Sequence, residues 1–130
     1  MKTTELLGAT STRTREVTLE DCITFLGDAI PPSLSTPRMI LWMEHTARDA
    51  VLPRLPAGED SVGTVVNVRH RAAIPLGREV VYTAEVTAVE GRRITFRVEA
   101  RHGDELVGDG IHERYRVEVA RFAKGIAGRH

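Results

Sequence analysis

Three side chains hold most of the chemistry this 130-residue sequence offers: Thr36, Glu44 and His70. Glu44 has Ile40 four residues before it, Ala47 three after and Val51 seven after, so helical spacing sets its carboxylate among apolar neighbours. An ionised carboxylate buried alone is costly; such a group takes a partner or a raised pKa, and both prime it for nucleophilic or acid–base work. The plainer alternative is a glutamate at the stripe's edge that reaches water or caps a neighbouring strand. His70 closes a valine-rich run, in phase with Val66 and Val68. If that face is the buried one, an imidazole meets whatever packs there; otherwise it is a strand-end histidine bonded to backbone. Thr36 stands where a helix begins, as an N-cap. A hydroxyl there lies beside free backbone N–H groups that stabilise developing negative charge.

The elements that must position these groups are readable from periodicity, which changes once, near residue 60. Thr36 to Leu52 reads as one long helix, with Pro37 in the first turn and Pro53 and Pro56 ending it. Ile40, Met43, Ala47, Ala50 and Val51 form its apolar stripe, and Arg38, His45, Arg48 and Asp49 fall mostly off it. A short helix is expected from Thr18, with Asp21 completing a weak capping box and Ile23, Phe25 and Leu26 as its apolar side. Gly27 to Ser35, holding Pro31 and Pro32, reads as loop.

Beyond residue 60 the pattern alternates. Val62 to His70 is strand-like. Val80, Tyr82, Ala84, Val86 and Ala88 make one face of the next strand, and Ile94, Phe96, Val98 and Ala100 one face of the strand after the Glu90-Gly91 turn. The last strand follows the His102-Gly103-Asp104 turn. It sorts Ile111, Glu113, Tyr115, Val117 and Val119 onto one side and His112, Arg114, Arg116 and Glu118 onto the other. Gly108 and Gly110 within it signal a bulge or a close backbone approach. Residues 11–17 supply a first strand. A sheet with one buried face needs a cover, and only the helix at 36–52 is long enough. The expected fold is α+β, a single domain over residues 1–130: an antiparallel five-stranded sheet wrapped around one long helix, the arrangement called a hotdog. Its unpaired edge predicts a homodimer, formed by pairing edges across a two-fold axis, or a dimer of dimers.

Composition narrows the function. The 18 basic and 18 acidic residues cancel, which argues against a nucleic-acid protein. No apolar run is long enough to span a membrane, and Met1–Glu5 lacks the apolar region of a secretory signal. Cys22 is the sole cysteine, and His45, His102, His112 and His130 show no metal-ligand spacing. Trp42 and Met43 read as core or interface. Arg92 and Arg93 read as solvated, or as partners for the phosphates of a nucleotide-bearing substrate. A soluble, cytoplasmic protein is expected.

Thr36, Glu44 eight residues on and His70 twenty-six after that, followed by Ala72-Ala73-Ile74-Pro75-Leu76-Gly77, resemble the hotdog thioesterases of the fluoroacetyl-CoA thioesterase type. Ser61-Val62-Gly63-Thr64, Val89-Glu90-Gly91-Arg92-Arg93 and His112-Glu113-Arg114 agree with that likeness, which runs from about residue 36 to the end. The resemblance implies a homodimer that hydrolyses acyl-CoA thioesters near the subunit interface, with no metal or redox cofactor. It implies Thr36, Glu44 and His70 as the catalytic set, the backbone of Gly63 near the acyl carbonyl, and Arg114 as a substrate-contacting or structural residue. Fluoroacetyl-specific members carry lid aromatics ahead of the catalytic helix. Gly27 to Ser35 has none, and Pro37-Arg38 follows the threonine where a glycine and an aromatic are usual. A different acyl preference is therefore expected.

A thiolate leaves readily, so hydrolysis needs a nucleophile, a base and a place for the oxyanion. His70 is expected to take a proton, Glu44 to attack or to orient the attacking group, and Thr36 to hold the substrate or attack in its turn. Competing readings are a hotdog dehydratase or hydratase on acyl thioesters, a non-catalytic acyl-CoA binder, and a Glu44–His70 pair that merely fixes helix to sheet.

Overall fold

In the computed structural model, which describes residues 5–129, five strands form one antiparallel sheet crossed by a single long helix. Met1–Thr4, read above as free of a secretory signal, and His130, set aside as a metal ligand, lie outside the described residues. Strand β1 (Thr10–Glu16) precedes a two-residue hairpin of β2 (Cys22–Ile23) and β3 (Ser33–Leu34), and helix α1 spans Thr36–Val51. Then come β4 (Glu59–His70), β5 (Glu79–Glu90), β6 (Arg93–His102), β7 (Glu105–Glu118) and a second helix, α2 (Val119–Ala127). The spatial order β1-β5-β6-β7-β4 leaves β1 and β4 as edges.

Alternation puts Val80, Tyr82, Ala84 and Val86 of β5, with Ile94, Phe96, Val98 and Ala100 of β6, under the helix, all fully or nearly fully buried. Met39, Met43, Ala47, Ala50 and Val51 of α1 cover them. Burial of each large apolar side chain is worth about 1.5–3 kcal/mol, so packing, more than intrinsic helix propensity, holds α1 in place. A glycine sets where the helix starts on the sheet. A Cβ at Gly108 would lie 2.5 Å from Met39 Sδ and 2.9 Å from the Arg69 carbonyl oxygen, so glycine there leaves room for the Met39 side chain and the neighbouring strand. Gly108 pairs with His70, and the start of α1 is thereby brought to the end of β4.

Several expectations are corrected. The helix cap is Ser35, whose hydroxyl accepts from the Arg38 N–H; Thr36 is the first helical residue. The buried stripe runs through Met39 and Thr46, and Ile40 is only half-buried, so the stripe is rotated away from Glu44. The helix from Thr18 is a single 3₁₀ turn, Leu19–Asp21, and Ile23 goes into the β2–β3 hairpin instead. Phe25, meant for a buried side, is 80% exposed. Asp21 is buried there as a hub. It accepts from Arg38 Nε at 2.9 Å and Trp42 Nε1 at 3.2 Å, and its backbone carbonyl accepts from the Ser35 N–H, tying the hairpin to the helix start. Val119 opens α2 instead of closing the last strand. On β7 the polar side is the inward one: His112 and Arg114 are buried, whereas Ile111 and Tyr115 are exposed. No helix among the described residues is long and apolar enough to cross a membrane.

Candidate active site

At the start of α1, Thr36 Oγ1 lies 2.7 Å from His70 Nδ1. Two tautomers satisfy this contact: the threonine hydroxyl donates to a bare Nδ1, or a protonated Nδ1 donates to the hydroxyl. The other ring nitrogen, Nε2, is buried and has no hydrogen-bond partner among the described residues. Buried polar atoms are nearly always satisfied, and an orphan is a mark of a site that awaits a ligand or water. Burial holds the His70 imidazole below its ordinary pKa, against an opposing pull from the Ala72 backbone, so the ring is neutral near pH 7. A groove of about 310 Å³ opens beside the pair, walled by Ile23, Leu34, Ala72 and Ala73.

Glu44 stands two helical turns further along. Its side chain is 37% exposed, at the edge of the apolar stripe, with Arg114 Nη1 3.7 Å from Oε2. It abuts the backbone of Gly63: a Cβ added there would lie 2.6 Å from Glu44 Oε2 and 3.2 Å from His112 Cε1. The absence of a side chain at residue 63 is what lets the carboxylate reach the strand. Between Gly63 and Val65 the β4–β7 register slips by a bulge, which bends the strand at this point.

Arg114 is itself rigidly held. Its Nε donates to Ser61 Oγ and its Nη2 to the Ser61 carbonyl, both at 2.7 Å, and Nη1 faces His112 Nε2 at 3.2 Å. His112 Nδ1 lies 2.8 Å from the Val65 carbonyl, which only accepts, so the proton is on Nδ1 and Nε2 takes the arginine's hydrogen. Burial, joined by the Arg114 charge, keeps His112 below its ordinary pKa and neutral. Ser61 and His112 were not among the expected site residues. Their signal was the placement of His112 and Arg114 two apart on one strand face, a polar pair where an apolar one was due.

Five expected residues thus fall into two groups: Thr36 with His70, and Glu44 with Gly63 and Arg114. Eight residues of helix separate Thr36 from Glu44, a rise of about 12 Å, more than one side chain bridges.

This geometry has relatives. The family described as fluoroacetyl-CoA-specific thioesterase matches residues 17–120. The chain belongs to that family. The curated fluoroacetyl-CoA thioesterase of Streptantibioticus cattleyicolor is 41% identical over 92 residues, a stretch covering 71% of this chain and 66%, just under two thirds, of that relative. A solved structure of a fluoroacetyl-CoA thioesterase superposes with a TM-score of 0.86 at 32% identity, covering 95% of this chain and 96% of that one. A hot-dog-like protein from Thermanaerovibrio acidaminovorans gives 0.87 at 28% identity, covering 97% and 95%. The hotdog fold expected from the sequence is the fold observed.

Gly27 to Ser35 is free of aromatics, and the hairpin instead holds Phe25, Leu26 and Ile30 exposed.

Proposed function

We propose that this protein hydrolyses acyl-CoA thioesters to a free acid and a thiol. The observation that carries the reading is the Thr36–His70 hydrogen bond beside a groove, with the Nε2 atom of a neutral imidazole left without a partner. A neutral imidazole in that state takes a proton from water or from the threonine hydroxyl. Family membership supports the choice of a thioester as substrate.

In this reading Thr36, Glu44 and His70 are the catalytic set. A nucleophile adds to the thioester carbonyl, a backbone N–H at Gly63 or the helix start receives the oxyanion, and the C–S bond breaks as the thiolate leaves. Glu44 supplies the nucleophile directly, giving an anhydride that water then opens, or it orients an attacking water whose proton passes to His70. Single turnover in labelled water distinguishes the routes: label in the Glu44 carboxylate marks direct attack.

Because the two groups lie too far apart along α1 to touch, the reading includes a homodimer in which they meet across the interface. β4 is an open edge with Val65 and Val66 exposed. Antiparallel pairing of β4 with its copy about a two-fold axis near Val66 and Asn67 sets Gly63 opposite His70 of the partner subunit. Glu44 then approaches the Thr36–His70 groove of the other protomer. Arg114 acts as a positioning residue for Glu44. The stretch Gly27 to Ser35, free of aromatics, supports an acyl preference other than fluoroacetyl. A free Cys22 suits a reducing, cytoplasmic compartment.

A panel of short, aromatic and medium-chain acyl-CoAs tests the reading, with thiol release followed alongside enoyl absorbance. Thiol release with turnover is the expected result. Enoyl formation identifies a dehydratase, and tight binding with neither product identifies a binder.

A further inference from the structure

A large hollow lies away from Thr36 and His70. It is a groove of about 490 Å³ between α2 and the β5–β6 turn. Its floor is apolar, with Phe122 and Ile126 on one helix face, 41% and 57% exposed. Its rim has Arg92, Arg116, Arg121 and Arg129, against a single acid, Glu118. Arg116 is already paired, 2.8 Å from Glu59. Arg92 donates only to the Arg116 carbonyl, and among the described residues Arg121 and Arg129 form no ion pair. Three guanidinium groups therefore surround an apolar floor with one carboxylate between them.

The groove is within reach of the site. Arg114 and Arg116 lie two apart on the inward face of β7, and Glu59 is four residues before Gly63 on β4, about 13 Å along the strand. Gly63 pairs with Arg114, Ser61 with Arg116 and Glu59 with Glu118, so one strand pair joins the two places. Resting on the reading that the site takes an acyl-CoA, we infer that this groove binds the nucleotide end of that substrate. The guanidinium groups hold its phosphates, and the adenine lies on Phe122 and Ile126, with the pantetheine arm extended back toward Glu44. Guanidinium pairs phosphate oxygens bidentately, and aromatic and aliphatic surface accepts a base face. The concave shape fits a small molecule of this size, whereas the acidic helix of a carrier protein needs only a flat basic patch.

The test compares the full-length wild type with the Arg121→Glu, Arg129→Glu double variant. For an acyl-CoA the double variant raises KM roughly tenfold or more at low salt while kcat stays within about twofold. For the same acyl group on N-acetylcysteamine, which has no nucleotide, the two proteins match. Arg97→Glu, an exposed charge reversal on β6, leaves both substrates unaffected. Adenosine 3′,5′-bisphosphate, titrated calorimetrically, binds wild type and fails to bind the double variant. If that variant does not fold, Arg121→Gln takes its place with a smaller rise in KM. An unchanged KM for acyl-CoA, an equal loss on both thioesters, or a loss confined to an acyl carrier protein overturns the inference. If wild type cleaves no acyl-CoA at all, the bisphosphate titration alone decides: binding lost in the variant upholds the groove, and no binding to wild type overturns it.

Discussion

Thr36 Oγ1 and His70 Nδ1 meet at 2.7 Å across 34 residues of chain, the first residue of α1 against the last of β4. Beside this contact Gly108, the pairing partner of His70, leaves room for the Met39 side chain on β7. Replacing His70 by alanine is expected to cut turnover by about 10²–10⁴-fold without unfolding the chain. Thr36→Ala is expected to cost less, and Thr36→Ser least, since serine keeps the hydroxyl. Steady-state kinetics with circular dichroism on each variant check the order; wild-type rates for His70→Ala remove it from the site.

Gly63→Ala places a methyl 2.6 Å from Glu44 Oε2, which must then move. The side chain is part-exposed and flexible, so the fold is expected to survive with a loss of at most about 1–2 kcal/mol. Activity is expected to fall toward that of Glu44→Ala, and the double variant to be no worse than Glu44→Ala alone. Additive losses would mean that Gly63 acts independently of the carboxylate.

Arg114→Lys keeps the charge and loses the fork. Lysine cannot reproduce the three contacts to Ser61 Oγ, the Ser61 carbonyl and His112 Nε2, and leaves buried acceptors unmet. A stability loss of roughly 2–4 kcal/mol is expected by urea titration. A silent substitution would show that the site does not depend on that geometry.

His70 and His112 both have pKa values lowered by burial, so each folded imidazole resists protonation more than its unfolded counterpart, whose value is about 6.5. Below that value the unfolded chain binds more protons, and stability therefore rises with pH through this window and falls on acidification. Melting temperature is expected to be highest above about pH 7 and to drop progressively below about pH 6.5. Removing His112 as His112→Gln should flatten the dependence; an unaltered slope would assign it to carboxylates.

The two-group layout predicts complementation between inactive proteins. If Glu44 of one protomer serves His70 of the partner subunit, a Glu44→Ala, His70→Ala heterodimer contains one intact site. Denaturing and refolding the two variants together at equal amounts then restores roughly a quarter of wild-type activity by random reassortment. No recovery would place both groups in one protomer's site.

Local pattern made much of this protein legible. The proline-flanked stretch from Thr36 gave α1 to within a residue of its end, and alternation gave β6 and, as far as Val86, β5 with the right faces inward; a bulge after Val86 then turns Val89 to the core where Ala88 is expected. Thr36 and His70 were named from their places at element ends, where the structure has them meet. Elsewhere the same logic misled. Val119, Phe122 and Ile126 have helical spacing, but Val119 also continues the strand alternation, and α2 has no place in the expected order of elements. The cap fell to Ser35 because both it and Thr36 are good capping residues, and the Asp21 hub chose between them by accepting the Ser35 N–H.

By itself the sequence determined which residues share a face, because the periods of helix and strand are properties of the local backbone. Only the tertiary structure decided which of those faces is buried and what each one meets. On β7 it turned the polar face inward, because Ser61 and the Val65 carbonyl on the neighbouring strand satisfy Arg114 and His112 there, and a polar group can be buried once its hydrogen bonds are supplied by a partner distant in sequence.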